Sequence, residues 1–591
     1  MKRRYLIASL GMLVLDADAW AADKGCTVGR IAELPVTMRG MQPLVKVKIN
    51  DRDVTFLADS GAWYSLISPG SAAELGLEQE ALPGLQMTGI GGSVTPRLTT
   101  VKKFTIAGVT LPRVQFVVGG SEVGSVGLLG QNVLALEDTE FDLAHGAIRL
   151  MRSEGCAKAS LAYWAKPDEP YSVVETEPGV GERPHVIGAV YVNGIKLRGL
   201  FDTGAGTSFV TMKAAARLGL KPNAPGVTFA GLSGGVGSRM ISTWTGPVQN
   251  VKIGDMEEVR NTRLRFGADN SDDFDMLVGA DFFLSHRVYW SSKLRKMFIT
   301  FNGGTVFNLG NLGDGQDGGN STGQAAQGNA DASPPPTDAD GFSRRAAVRV
   351  TRGDLAGGLA DLDQAVTRAP GNADILRQRA ELHARMGHRD KALVDLAKLL
   401  KDKPDDVDAH LLRAEMLNRE EQAPAIRADL EAAAVAAAKS SDQRLAIAGA
   451  YDGLGDYAAA IAQYDLWIAA HREDSRRPMA LNGRCWARAL AGTDLALALK
   501  DCNAALSASP HTAAFLDSRG LVRVRMGDYA GAVKDYDEVL VAAPDTAWSL
   551  YGRGIARLRL GQKNASEADL KKARSLNPHL EEEAKNRGIV P

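Results

Sequence analysis

Neither charge is in excess in this chain of 591 residues. Its 69 lysines and arginines face 70 aspartates and glutamates, for a net charge of −1 and a pI near 6.8. A nucleic-acid partner recruited by bulk charge is therefore not expected, because phosphate neutralisation needs a cationic surplus. Beyond the N-terminus no apolar run is long enough to span a bilayer. The nine histidines include no H-E-x-x-H and no ligand pairing with cysteine or aspartate, so a metal site is not expected. Glycine-rich stretches such as Gly231 to Gly237 lack the Lys-Ser/Thr of a phosphate loop. Ser-His-Asp chemistry is set aside for want of a nucleophile elbow. Cysteine is scarce, at four. Cys26 and Cys156 bracket one segment. Cys485 and Cys502 lie either side of Gly492-Thr493-Asp494 and would face each other if two antiparallel helices met there. An even count in two pairs agrees with an oxidising compartment; the alternative is four buried free thiols.

The length is too great for one core and suggests three or four units. Met1-Lys2-Arg3-Arg4 is followed by a mostly apolar Tyr5 to Leu15 and by small residues around Ala19 and Ala21, the pattern of a signal peptide over residues 1–21. Asp16 and Asp18 depart from that pattern, and the alternative is an apolar helix of a cytosolic protein. Cys26 lacks the small or apolar lead-in of a lipidation site. With the cysteine pairs, the N-terminus predicts a periplasmic or secreted protein without a membrane span once the leader is removed.

What is present is a duplication. Phe56-Leu57-Ala58-Asp59-Ser60-Gly61-Ala62 returns 143 positions later as Gly199-Leu200-Phe201-Asp202-Thr203-Gly204-Ala205. Asn50 and Asn193, and Leu75-Gly76-Leu77 and Leu218-Gly219-Leu220, keep the same offset. Each half then has a glycine-rich hairpin tip, Ile90-Gly91-Gly92 in one and Leu232-Ser233-Gly234 in the other. Each has a late apolar strand closed by glycine, at Gly130 and Gly279. The alternating pattern makes both halves β-rich, over residues 40–152 and 185–302. Residues 155–183 between them read as a tether, without a specific signal. Residues 303–341 are poor in apolar side chains and read as a flexible linker.

From 342 to 590 the composition turns to Ala, Leu, Arg and Asp at helical spacing. Pro370 and Pro404, and Pro510, Pro544 and Pro578, stand 34 residues apart. Gly353, Gly387, Gly455, Gly492, Gly527 and Gly561 mark helix-to-helix turns. Ala392, Ala460, Ala532 and Ala568 hold a small position after them. Six or seven units fit, one of them weak near Glu421. This resembles the tetratricopeptide repeat, an all-α solenoid of helix pairs that binds proteins in its groove.

The doubled module resembles retropepsin-type aspartic proteases. The fold expected is therefore multidomain: two retropepsin-like lobes forming a pseudo-dimer within one chain, followed by the repeat solenoid. The resemblance implies Asp59 and Asp202 as a catalytic pair that activates water to hydrolyse a peptide bond, with no cofactor. It implies Ser60 and Thr203 as cross-linking hydroxyls, Gly61 and Gly204 as close-approach positions, and Ala62 and Ala205 beneath the substrate. Ile90, Gly91, Gly92, Leu232, Ser233 and Gly234 would form flaps over a polypeptide substrate. Ser60 stands where threonine is commoner. Trp63, opposite Gly206 in the other half, either walls one side of the cleft or packs on the lobe surface. Asp281, matched by Asn132, reads as the cap of a following helix. Two other arrangements stay open: a non-catalytic scaffold that works through its repeat groove, and lobes that pair between chains.

Overall fold

The structure, a computed structural model, describes residues 19–590 except 24, 83, 85, 90–91, 122–123, 167–168, 179–185, 235–239, 256, 268–272 and 308–335. It divides into two compact units. One holds both β-rich lobes and the repeat helices through Lys403; the other holds the helices from Pro404 onward, with Gly234 and Met240.

In the first lobe β1 (Ala19–Asp23), which starts inside the expected leader, pairs with β2 (Cys26–Arg39). The chain continues through β3 (Gln42–Ile49) and β4 (Arg52–Ala58), joined by Asn50 and Asp51 at positive φ, 48° and 70°. Both central residues of such a tight hairpin turn need that conformation. Val45, Val47 and Ile49 point inward while Lys46 and Lys48 point out, the period-two signature of a half-buried strand. Then come β5 (Leu66–Ile67), α1 (Pro69–Glu74), β6 (Glu80–Ala81), the hairpin β7 (Met87–Gly89) and β8 (Gly92–Val94), β9 (Arg97–Ile106), β10 (Val109–Val118), β11 (Gly127–Leu129), α2 (Gln131–Leu134), β12 (Asp138–Asp142) and β13 (Ala147–Glu154). Pairing runs β3-β4-β11-β5-β10-β9 and closes between β3 and β9. The barrel is filled by Phe56, Phe104 and Phe116, with ring centroids 5.1 to 6.3 Å apart.

The second lobe repeats this with β15 (Ile187–Val192), β16 (Ile195–Phe201), β17 (Phe209–Thr211), α3 (Met212–Arg217), β18 (Thr228–Ser233), β19 (Ile241–Ile253), β20 (Glu257–Gly267), β21 (Met276–Val278), α4 (Ala280–Phe283), β22 (His286–Ser291) and β23 (Lys296–Phe301). Its order, β15-β16-β21-β17-β20-β19 with β15 against β19, matches the first barrel. Before it lies β14 (Ser172–Glu175), which pairs with β23.

One sheet joins the lobes. β12 pairs with β22, placing Glu140 opposite Tyr289 and Phe141 opposite Val288, so the order β14-β23-β22-β12-β13-β2 is symmetric about that seam. Phe141 packs on Phe283 of the other lobe at 5.3 Å. Glu140, wholly buried, accepts from Arg149 at 2.5 Å, Arg287 at 2.8 Å and the Tyr163 hydroxyl at 2.6 Å. A carboxylate removed from water needs such partners. The Arg287 guanidinium also lies 4.3 Å from the centre of the Trp164 ring. The expected tether is thus corrected in its described part: Leu161 and Ala162 are buried, and Tyr163 and Trp164 stitch the seam. The expected linker is corrected at both ends, its residues 308–335 lying outside the described ones. Val306 and Phe307 are buried, Phe307 stacking on Phe282, and Asp338 caps a helix that begins at Ala339.

The repeats begin with α5 (Ala339–Thr351), α6 (Leu355–Arg368), α7 (Ala373–Arg385) and α8 (Arg389–Asp402). These belong to the same unit as the lobes. The Thr351 hydroxyl donates to Gly40 O at 2.9 Å, Arg352 donates to Leu284 O, and Lys46 pairs with Asp374 at 2.8 Å. The second unit holds α9 (Val407–Met416), α10 (Arg419–Ala436), α11 (Gln443–Leu454), α12 (Tyr457–Ala470), α13 (Arg477–Ala491), α14 (Leu495–Ala508), α15 (Ala513–Met526), α16 (Tyr529–Ala542), α17 (Ala547–Arg559), α18 (Lys563–Leu576) and the closing α19 (Leu580–Asn586). Seven helix pairs result among the described residues. The pair lacking its glycine is the irregular one: α10 is kinked at Gln422 and contains Pro424. The six turn glycines all have positive φ, from 68° at Gly492 to 88° at Gly353. One register is corrected: Ala568 is exposed, and Ser566 fills the small buried position, its hydroxyl bonded to Gly554 O. No described helix is long and apolar enough to cross a membrane.

Candidate active site

Asp59 and Asp202 stand at the ends of β4 and β16. Each strand runs parallel to the late strand of its own barrel, β11 or β21. Asp59 N–H donates to Leu129 O at 3.0 Å and Asp202 N–H to Val278 O at 2.8 Å, so each carboxyl leaves the sheet at the same point. The turns that follow interlock. Ser60 Oγ donates to Phe201 O at 2.8 Å and Thr203 Oγ1 to Ala58 O at 2.8 Å. The two amides return the exchange: Ser60 N–H donates to Thr203 Oγ1 at 3.1 Å and Thr203 N–H to Ser60 Oγ at 3.0 Å. Serine and threonine are the small side chains that can accept and donate at one atom.

Glycine follows for a reason of space. A Cβ on Gly61 would lie 2.4 Å from the Asp202 carboxyl carbon, and one on Gly204 would lie 2.4 Å from that of Asp59. Each carboxylate is held by its own turn. Asp59 Oδ1 accepts from Gly61 N at 2.9 Å and Ala62 N at 2.8 Å; Asp202 Oδ1 accepts from Gly204 N at 2.8 Å and Ala205 N at 3.3 Å. Burial and the adjacent Asp202 charge hold Asp59 well above the ordinary carboxylate range. Burial raises Asp202 as well, opposed by its hydrogen bonds to Asp59 and to the backbone. Two carboxylates this close cannot both ionise and retain a proton between them.

Behind each turn is a brace that the sequence reading mistook. Asp281 does not cap α4, whose N-cap is Gly279. It accepts from Ser208 Oγ at 2.7 Å and Ser208 N at 2.9 Å, while Ser208 Oγ accepts from Gly279 N at 2.9 Å. In the first lobe Asn132 does the same for Ser65, and Ser65 Oγ accepts from Gly130 N at 3.0 Å. Ser65 and Ser208 escaped the sequence reading. The matched spacing of Asn132 and Asp281 was their signal. Burial pushes Asp281 up to about 6, a charge sensitivity that Asn132 lacks.

The hairpins attach beside the pair. Met87 of β7 packs on the apolar cluster that includes Ala62, and Ile241 of β19 on the one that includes Ala205. Gly92 has φ 114° and closes its hairpin opposite Gly89; Leu232 is exposed near the end of β18, and Ser233 and Gly234 follow. Ile90 and Gly91 lie outside the described residues. Trp63 is half-buried and its carbonyl accepts from Asn132 N; at the matching Gly206, a Cβ would meet Met41 at 3.1 Å. Gly231 to Gly235 does spell G-x-S-x-G, but Ser233 ends a hairpin strand and not a strand-to-helix turn, so it is no nucleophile elbow. Away from the site, Cys26 is bonded to Cys156 and Cys485 to Cys502.

Residues 45–133 and 188–282 match the model of the aspartyl protease family, and residues 350–416 that of the tetratricopeptide repeat. The chain therefore carries a doubled aspartyl-protease region, resembling the retropepsin type, ahead of tetratricopeptide repeats. Among solved structures it is similar to a tetratricopeptide repeat protein from Parabacteroides merdae, with 19% identity over 42% of this chain and 96% of that one and a TM-score of 0.34. It is similar also to YrrB, described as a TPR protein with an unusual peptide-binding site, with 14% identity over 37% of this chain and 92% of that one and a TM-score of 0.22. A third similar structure is PilW, described as a type IV pilus biogenesis factor, with 15% identity over 41% of this chain and 94% of that one and a TM-score of 0.26. No protein with a curated description matches the chain.

Proposed function

We propose that the protein is an exported aspartic endopeptidase whose repeats recruit substrate or a partner protein. The observation that carries this reading is the interlock of the two turns, which holds two proton-sharing carboxylates together. In the working state the ionised carboxylate accepts a proton from a water lying between the pair. The protonated one donates to the oxygen of the scissile carbonyl as the water oxygen attacks its carbon. As the tetrahedral intermediate collapses, one of its hydroxyls returns a proton to the ionised carboxylate and the protonated carboxyl gives its proton to the departing amine, so the dyad again holds one proton. Ala62 and Ala205 would lie under an extended substrate backbone, and the β7–β8 and β18–β19 hairpins would close over it. The signal-type N-terminus and the two disulfides support a periplasmic or secreted location.

The full-length protein would be incubated with an unfolded polypeptide between about pH 3 and 7, beside Asp59→Asn and Asp202→Asn. Cleavage lost in both variants is expected. Cleavage indifferent to either substitution rejects the reading in favour of a scaffold that works through its repeats.

A further inference from the structure

The first repeat helix is built into the protease region. Val348 of α5 is buried in the same core cluster as Val36 and Phe141 of the first lobe and Phe282 and Phe283 of the second. Arg344 packs over Gly146, where a Cβ would meet its side chain at 3.4 Å. Two contacts at the C-terminal end of α5 then lead to a single catalytic turn.

One contact goes through the second lobe. Arg352, just past the end of α5, donates to the carbonyl of Leu284, the residue that closes α4. The last carbonyls of a helix have no partner within it, and an arginine side chain can supply one. α4 is one turn long: Leu284 N–H donates to Ala280 O at 2.9 Å. At its other end it holds the catalytic turn. Ala280 N–H donates to Ala205 O at 2.7 Å, and Ala205 N–H donates to Asp202 Oδ1 at 3.3 Å. Asp281 of the same helix fixes Ser208. The other contact goes through the first lobe. The Thr351 hydroxyl binds Gly40 O at 2.9 Å, and the next residue, Met41, crowds Gly206 directly after Ala205. The matching helix of the first lobe is anchored differently: α2 is tied by its own lobe, Thr139 Oγ1 donating to Leu134 O.

We propose that Arg352 is a positioning residue for Asp202, which makes the first repeat helix a working part of the active site as well as the start of a recruiting array. Arg352 touches no substrate. It fixes α4, and α4 fixes the amide and the brace that aim the Asp202 carboxyl. A carboxyl displaced slightly from its place transfers protons less well while the substrate keeps its other contacts, so the loss falls on kcat and not on KM. The effect on turnover rests on the peptidase reading; the hold on the turn does not.

The test compares full-length wild type with Arg352→Met, Arg352→Lys and, as a control, Asp395→Asn, which weakens the α7–α8 pair at Arg379 without touching α5. On an unfolded polypeptide Arg352→Met should lower kcat about 10- to 100-fold with KM little changed. Arg352→Lys should recover most of that loss, and Asp395→Asn should lower Tm without lowering kcat. Hydrogen exchange needs no activity: in Arg352→Met it should quicken in the segment from Asp202 to Ser208 more than in that from Asp59 to Ser65. If wild type cleaves nothing, the peptidase reading fails and exchange alone decides the positioning. If Arg352→Met folds too poorly to measure, Met41→Ala, which opens space beside Gly206, should give the same exchange pattern. Unchanged exchange in the Asp202 turn, an equal change in both turns, or a kcat loss as large in Asp395→Asn would each overturn the proposal.

Discussion

Ser60 and Thr203 each hold the other's backbone, one from each lobe, with N–H···O distances of 3.1 and 3.0 Å. Both residues are essentially without solvent contact. Thr203→Ala would strip a partner from Ser60 N–H and a donor from Ala58 O. Each orphaned buried group costs about 1–3 kcal/mol. A fall in Tm together with lost peptidase activity is expected, and Thr203→Ser should restore most of both. Full activity in the alanine variant would show that the interlock does not position the pair.

Asp202→Asn should lower turnover by about 10²- to 10⁴-fold, the usual contribution of a positioned acid or base. The pH dependence of stability has a definite sign. The folded pKa of Asp59 is raised, so its contribution is complete below the ordinary carboxylate value and is lost as pH rises through the raised one. Thermal melts from about pH 4 to 8 should show wild type losing ground to Asp59→Asn. A constant gap between the two curves would contradict the shared proton.

Asp281 supplies a second pH effect at a different residue. Its carboxyl is raised from 3.8 to about 6 by burial, so its contribution is present below 3.8 and lost as pH passes 6. A shift of that size corresponds to about 3 kcal/mol. Asp281→Asn copies the Asn132 arrangement and should remove the loss. Its stability relative to wild type should climb between pH 4 and 7 in denaturant titrations.

The repeats carry a ladder of arginine–aspartate pairs. Arg345–Asp361, Arg379–Asp395, Arg413–Asp429, Arg519–Asp535 and Arg553–Asp569 all join residues 16 apart. Asp535, almost wholly buried, serves Arg519 and Arg523 together. Asp535→Ala should destabilise by about 3–5 kcal/mol because it breaks a buried pair, taking the carboxylate from Arg519 and leaving Arg523 only the more distant Asp528 at 3.5 Å. Asp545→Ala, at the exposed Lys572 pair, should cost less than about 1 kcal/mol. Parallel thermal melts of the two variants decide it.

Reduction should affect the two disulfides unequally. Cys26–Cys156 spans 130 residues and Cys485–Cys502 spans 17. Loop-closure entropy assigns about 5 kcal/mol to the first and about 3 kcal/mol to the second. Paired serine variants, unfolded in denaturant, should follow that order.

Repetition made much of this legible. The constant spacing between Asp59 and Asp202 exposed two copies of one barrel, and the turn glycines exposed the helix pairs. Part of what stayed hidden involves residues with no copy to be compared with. Tyr163 and Trp164 sit in a stretch without periodicity, and only the seam, through Glu140, Arg287 and Thr300, gives them a task. Ser65 and Ser208 were legible in principle, yet a serine seven residues beyond a strand end looks like any loop serine. Asp281 was misassigned because an acid after Gly-Ala ahead of apolar residues also suits a helix start. Its true partner, Ser208, lies 73 residues away in sequence.

The seam between β12 and β22 bears on how such a site would age in a lineage. Where a site forms from identical subunits, every substitution appears on both walls, and dilution takes the walls apart. A covalent pair has neither constraint. Its activity should scale linearly with enzyme concentration down to the lowest dose assayed, and compounds that block subunit association would find nothing to block. Each half is also free to drift alone: Trp63 is matched by Gly206, and Asp281 by Asn132. On the proposed peptidase reading, unequal halves would hold a polypeptide in one direction only.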